Sequence, residues 1–160
     1  MAYFAAAFAR SGGDWAGTEL DLDEVETLDD LADLGRELLS DDGTVLILLE
    51  EEDDWFGVVR VEGEDDPRVY VSDAAETMRS PVGSVLAKAV AEHLSDGDED
   101  DGPVPVLPAG PYGDADLVSD LGLTGDDLNE LALATGLSPS EAVASMAERL
   151  GFEPALESVR

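Results

Sequence analysis

The sequence predicts an α+β fold: an antiparallel five-stranded sheet in the order ββαβββα, followed by a small C-terminal helical appendage. Three observations predict it. β-like runs at 2–9, 15–20, 44–49, 55–62 and 67–72 are interrupted once, after Thr27, by a stretch of helical period. A second helical stretch follows Ser80 and closes the series. A Pro- and Gly-rich acidic break at 96–113 then separates these elements from short helical segments. With 160 residues and 44% apolar side chains, the chain can bury one real core.

The first two strands are joined by Ser11-Gly12-Gly13-Asp14, a hairpin signal. From Thr27 the period changes: Leu28, Leu31, Gly35, Leu38 and Leu39 form one stripe. Thr27 is a natural N-cap, and Asp29 and Asp30 suit the first turn of a helix dipole. The run at 44–49 is apolar without alternation and starts at Gly43, as a strand buried on both faces does. Residues 55–62 and 67–72 form a hairpin whose turn holds Gly63, with Pro67 tolerated at a strand's first position. Pairing Val59 with Val69 puts Trp55, Val59, Val61, Val69 and Val71 on one face, and Phe56, Val58, Arg60, Arg68 and Tyr70 on the other. Ser80-Pro81 opens the next helix, whose stripe is Val82, Val85, Leu86, Ala89, Val90 and His93.

Beyond the break, helices are expected at 114–121, ending at Gly122, and at 124–135, between Thr124 and Gly136. A third is expected at 138–150, with Ser138 and Glu141 as a capping box and a stop at Gly151. The expected organisation is an α+β domain over 1–95, an acidic linker over 96–113 and a helical region over 114–160. The element order is that of small profilin-like, longin-like and roadblock-like modules, most of which bind other proteins.

Charge narrows the functional classes. Against 39 acids stand 8 bases, a net charge of −31. Such a field repels a phosphate backbone, whose affinity for proteins comes from Lys and Arg displacing counterions. Direct binding to nucleic acid or to an anionic membrane is disfavoured, and a basic protein partner is favoured. Lys88 is the single lysine, and aspartate outnumbers glutamate. Adaptation to high salt or to a GC-rich genome would leave the same composition. No apolar segment reaches membrane-span length, and the start MAYFAAAFARSGG carries no basic leader, so a cytoplasmic location is expected.

Chemistry is hard to place on this chain. Without cysteine there is no thiol catalysis and no thiolate metal site. Asp96, Asp98 and Asp100 have the spacing that opens an EF-hand loop, but Asp101 and Leu107 stand where the loop needs Gly and Glu. Glu50 to Asp54 alternate in direction at a strand end and do not converge as a cage. His93 lies on an apolar stripe, and no G-x-S-x-G elbow or phosphate-binding glycine loop occurs. Residues 128–150 scan like a helix-turn-helix, yet the second helix offers Glu141, Glu148 and only Arg149 to DNA. No catalytic residue, cofactor or metal is assigned.

What remains is the hairpin. Trp55, Phe56, Arg60, Arg68 and Tyr70 are the candidate partner-binding residues, since aromatics flanked by Arg carry much of the energy at protein interfaces. The alternative is that a helix of the same chain covers Phe56, Val58 and Tyr70, with Arg60 and Arg68 offsetting nearby acids.

WFGVVRVEGEDDPRVYVSDAAE, the opening YFAAAFAR and the tail LPAGPYGDADLVSDLGL…SEAVASMAERLGF together resemble the actinobacterial family of tRNA adenosine deaminase-associated proteins. The resemblance spans nearly the whole chain, and DDPRVYVSDAA is its most specific part. It implies an accessory role beside the deaminase and assigns no mechanism. The deaminase itself needs a His/Cys/Cys zinc site and a catalytic Glu, which a chain without cysteine does not supply. Contact with the basic RNA-binding face of that enzyme is the physical form such an association would take. An acidic nucleic-acid mimic, occupying the basic groove of another protein, is the alternative.

Overall fold

The computed structural model describes residues 3–11, 14–22, 25–38, 43–51, 54–62, 67–79, 83–88, 110–134, 136 and 138–159. Strands β1 (Tyr3–Ser11) and β2 (Asp14–Glu19) pair antiparallel with Ser11 opposite Asp14, so each strand runs further into the predicted turn than expected. Helix α1 (Leu28–Arg36) begins at the Thr27 cap, where the Thr27 side chain and that of Asp30 bond reciprocally to backbone N–H groups. It buries Leu31, Ala32 and Gly35. Leu39 of the predicted stripe lies outside the described residues.

Strand β3 (Thr44–Glu51) is buried on both faces from Val45 onward, as its unbroken apolar run requires. Strands β4 (Trp55–Val61) and β5 (Arg68–Val71) form the predicted hairpin with Val59 opposite Val69. Helix α2 (Ala74–Thr77), capped by Asp73, is a short turn that the sequence reading missed. Helix α3 covers 83–88, with Val85, Leu86 and Ala87 buried. The predicted start at Ser80-Pro81 and the stripe residues Val82, Ala89, Val90 and His93 lie outside the described residues.

Among the described residues the sheet has six strands where five were expected, in the order β2-β1-β3-β4-β5-β6, each neighbouring pair antiparallel. The sixth, β6 (Tyr112–Gly113), comes from the stretch read as linker. Two residues carry no periodicity, so only their pairing with the edge of β5 identifies them. Gly113 is required there: its φ is +109°, and a Cβ would meet the Val69 carbonyl oxygen at 2.4 Å.

The C-terminal region lies on the sheet's second face. Residues 114–121, expected as a helix, instead make turns that end in one 3-10 turn (Ser119–Leu121) closed by Gly122. The Leu117 carbonyl accepts a bond from the Arg60 guanidinium, and the Leu121 N–H bonds back to Val118, three residues away, in place of an α-helical ladder. Helices α4 (Gly125–Leu133) and α5 (Pro139–Leu150) start at Thr124 and Ser138, as predicted; the Ser138–Glu141 box was expected, and the structure adds a reciprocal box between Thr124 and Asp127. Helix α6 (Glu153–Val159) follows Gly151 and was not foreseen.

Two apolar layers result. Ala5, Ile47, Leu49, Trp55, Val59 and Val71 face α1 and α3. Phe8, Leu46, Leu48, Phe56, Val58 and Tyr70 face the 117–123 turns and α4 to α6. Among the described residues no helix is long and apolar enough to cross a membrane.

Candidate functional site

The alternation along β4 and β5 puts the candidate partner-binding residues where the spacing said, but the chain itself covers most of them. Trp55 belongs to the first layer, and its Nε1 donates to Glu51 Oε2 at 2.9 Å. Phe56 and Tyr70 lie in the second layer beneath α4 and α5, with exposures of 2% and 1%. Their rings stand 6.4 Å apart. The Tyr70 hydroxyl donates to Asn129 Oδ1 of α4 at 2.9 Å, and burial raises its pKa above the usual tyrosine value. As placed, these three aromatic side chains contribute to packing. Removing any of them opens a cavity before it alters a surface.

Arg60 is the electrostatic centre of this face. It is buried, and its Nη1 donates to the Leu117 carbonyl at 2.6 Å while Nη2 donates to Asp120 Oδ2 at 2.9 Å. Nε donates to Thr44 Oγ1 at 3.2 Å, and Glu62 completes the ion pairing. The fork of Arg60 therefore pins the 117–120 segment to strand β4, using the bidentate geometry that lysine lacks. Asp120 responds in kind: hydrogen bonding to Arg60 holds its carboxyl below the ordinary aspartate value, against a smaller desolvation. Arg68 is half-exposed and pairs with Asp114 at 2.5 Å. Both arginines thus sit opposite acids of the C-terminal region. Reading charge and spacing in one hairpin did not reveal those partners, which lie 46 to 60 positions away.

Leu117, Leu121 and Phe152 of the C-terminal region offer little alternative surface, Leu121 being partly buried against the second layer. Leu117 and Phe152 are fully buried, Phe152 stacking near Phe8 (4.6 Å) and Trp15 (5.2 Å). Among the described residues, the large apolar side chains left exposed are Met78 and Leu133, at 40% and 64%. Leu133 ends α4 on the rim of a shallow groove of about 230 Å³. Phe56, Leu131, Pro139, Asp54 and Asp73 are among the residues that line it.

Among the described residues no group of three His, Cys, Asp or Glu side chains is placed to hold a metal ion. His93 and the aspartates of 96–101 lie outside the described residues.

Comparison with known proteins gives one match. The family described as Rv3753c-like tRNA adenosine deaminase-associated protein matches residues 3–153. No curated protein and no solved structure matches.

Proposed function

The chain belongs to the tRNA adenosine deaminase-associated family, and we propose that it is a non-catalytic accessory protein that binds the deaminase through that enzyme's basic, RNA-facing surface. The observation that carries this reading is the net charge of −31 on a chain whose family is named for an RNA-modifying enzyme. A surface that repels tRNA and attracts whatever binds tRNA is complementary to the enzyme and not to its substrate. The absence of cysteine supports a partner role over deamination itself, because the zinc-deaminase site requires cysteine ligands.

A second reading has an observation in its favour. Along α1 and its approach, Glu26, Asp29, Asp30, Asp33 and Glu37 are all exposed, a row of carboxylates of the kind a nucleic-acid mimic presents to a basic groove. The two readings name different partners. Capture from native lysate on the immobilised full chain, at low and at high salt, separates them. The deaminase should be recovered at low salt and reduced at high salt. Recovery of nucleases or DNA-binding proteins without the deaminase would replace this reading with mimicry, and recovery of nothing specific would sink both.

A further inference from the structure

Among the described residues the sheet ends at two edges of different kinds. β6 is two residues long, and so short a strand blunts its edge. β2 runs six residues and pairs with β1 one to one, from Ser11–Asp14 to Ala6–Glu19. It lacks the bulge, Pro or Lys that commonly guards an edge. The Leu20 N–H bonds to the Ala5 carbonyl at 2.9 Å, which fixes the alternation. Asp14, Ala16 and Thr18 bond to β1, and the N–H and C=O groups of Trp15, Gly17 and Glu19 point away from it. Among the described residues no strand lies beyond those outward groups and no hydrogen bond engages them. At the Glu19 end of the edge lies an open hollow of about 300 Å³, lined by Phe4, Ala5, Glu19, Leu20 and Asp21.

We propose that the β2 edge takes an extended segment of a basic partner as a further strand. Its backbone bonds Trp15, Gly17 and Glu19, and a Lys or Arg side chain enters the hollow beside Glu19 and Asp21. This rests on the reading above that the partner is basic, and it supplies what that reading lacks, a place. Charge selects the occupant. Asp14, Glu19 and Asp21 are exposed along the edge, and α6, packed on the same strand, exposes Glu153 and Glu157. Arg10 lies over the Trp15 ring at 5.8 Å, so the partner's cations belong at the Glu19 end and an uncharged side chain beside Trp15. A second copy is excluded on two counts. It brings the same carboxylates, and α6 lies so close over Gly17 that a Cβ there would stand 2.9 Å from the Ala155 carbonyl oxygen. Strands pair about 4.8 Å apart while packed helices need about 8–10 Å, so two β2 edges centred on Gly17 would drive one α6 into the other. A lone strand passes. The acidic surface then steers the encounter, and backbone pairing decides how long the complex lasts.

The experiment has two arms on the full chain. In the first, the peptide Lys-Thr-Val-Thr-Val-Thr-Lys is added to the labelled protein and amide hydrogen exchange is followed. Free, the Trp15, Gly17 and Glu19 amides should exchange fast, and the peptide should slow them by roughly tenfold or more. Ala16 and Thr18, already bonded to β1, should not change. A twin peptide N-methylated at every Thr and Val keeps the charge and loses the backbone donors, and it should protect none of the three. Equal protection by the twin, or protection without this alternation, would mean charge alone and overturn the edge. Slow exchange of the three in the free chain, whether monomeric or self-associated, would show the edge already taken and also overturn it. Glu19→Lys should weaken the first peptide by roughly tenfold, and Glu37→Lys on α1, the same charge change elsewhere, by much less. Equal losses would again mean charge alone. Both positions are exposed, so the melting temperature should hold in each variant. In the second arm the purified deaminase replaces the peptide and should protect the same three amides. If it binds and leaves them fast, the edge fails and the accessory reading survives. If it does not bind while the peptide still docks, the edge stands and the deaminase reading fails.

Discussion

At the residue scale, Phe56 and Tyr70 sit where packing and hydrogen bonding coincide. Each is almost without exposure, and Tyr70 also supplies the proton in the bond to Asn129. Truncating either to Ala should cost about 3–5 kcal/mol, the range for large aromatics in a core. Chemical denaturation of the free protein checks this, and a loss below about 1 kcal/mol would mean the C-terminal helices do not cover the pair as described. Asp120 gives a test with a sign. Its folded pKa lies below the ordinary value of 3.8 because Arg60 bonds the carboxylate. The stabilisation is therefore present above about that pH and is lost as pH falls through the depressed folded value. The stability gap between wild type and Asp120→Asn should be constant near neutrality and close on acidification. Most of the Asp120 side chain is in water, 60% exposed, so solvent screening makes the gap small. A gap that widens on acidification would contradict the Arg60 pairing.

At the scale of elements, caps and edges decide what forms. The Thr27, Thr124 and Ser138 boxes satisfy N–H groups that each helix leaves open, which is why these three helices start where the sequence says. β6 has no such local support. It exists because Tyr112 and Gly113 meet Val71 and Tyr70, and because Gly113 tolerates both its φ of +109° and a carbonyl 2.4 Å from where a Cβ would stand. Gly113→Ala should cost about 1–3 kcal/mol and expose the β5 edge. Faster hydrogen exchange at Val69–Val71 would report it, while unchanged exchange would mean β6 does not protect that edge. Glycine at position 17 plays the matching part at the opposite edge, where α6 lies so close that a Cβ would stand 2.9 Å from the Ala155 carbonyl oxygen.

At the scale of the whole molecule, charge opposes compactness. Asp29, Asp33 and Glu37 follow one another at helical spacing on α1, where like charges repel. Arg36 offsets only part of this through Asp33. A net charge of −31 on 160 residues adds a general self-repulsion. Raising KCl shortens the screening length from about 30 Å at 0.01 M to about 3 Å at 1 M. The melting temperature should therefore rise steadily over that range. Were it flat or falling, the carboxylates would be too well separated, or too well paired, for repulsion to matter. The same screening should slow association with a basic partner.

The sequence by itself determined what depends on neighbours along the chain. Period and capping chemistry set α1, α4 and α5. The unbroken run after Gly43 marked β3 as central, and alternation around Gly63 set the Val59–Val69 register with its two faces. Composition alone showed that the chain has no cysteine ligands for a zinc-deaminase site, and the DDPRVYVSDAA segment pointed to the family. Only the tertiary structure decided what covers the hairpin's second face. Alternation reports that a face is apolar and not whether the chain or a partner buries it, because core packing and interface anchors use the same side chains. Phe56 and Tyr70 became core, and Arg60 became the clasp on Leu117 and Asp120, through contacts nearly sixty residues distant. Leu133 was left in solvent for the converse reason: α4 turns Leu128 inward, and a helix cannot bury every leucine it carries.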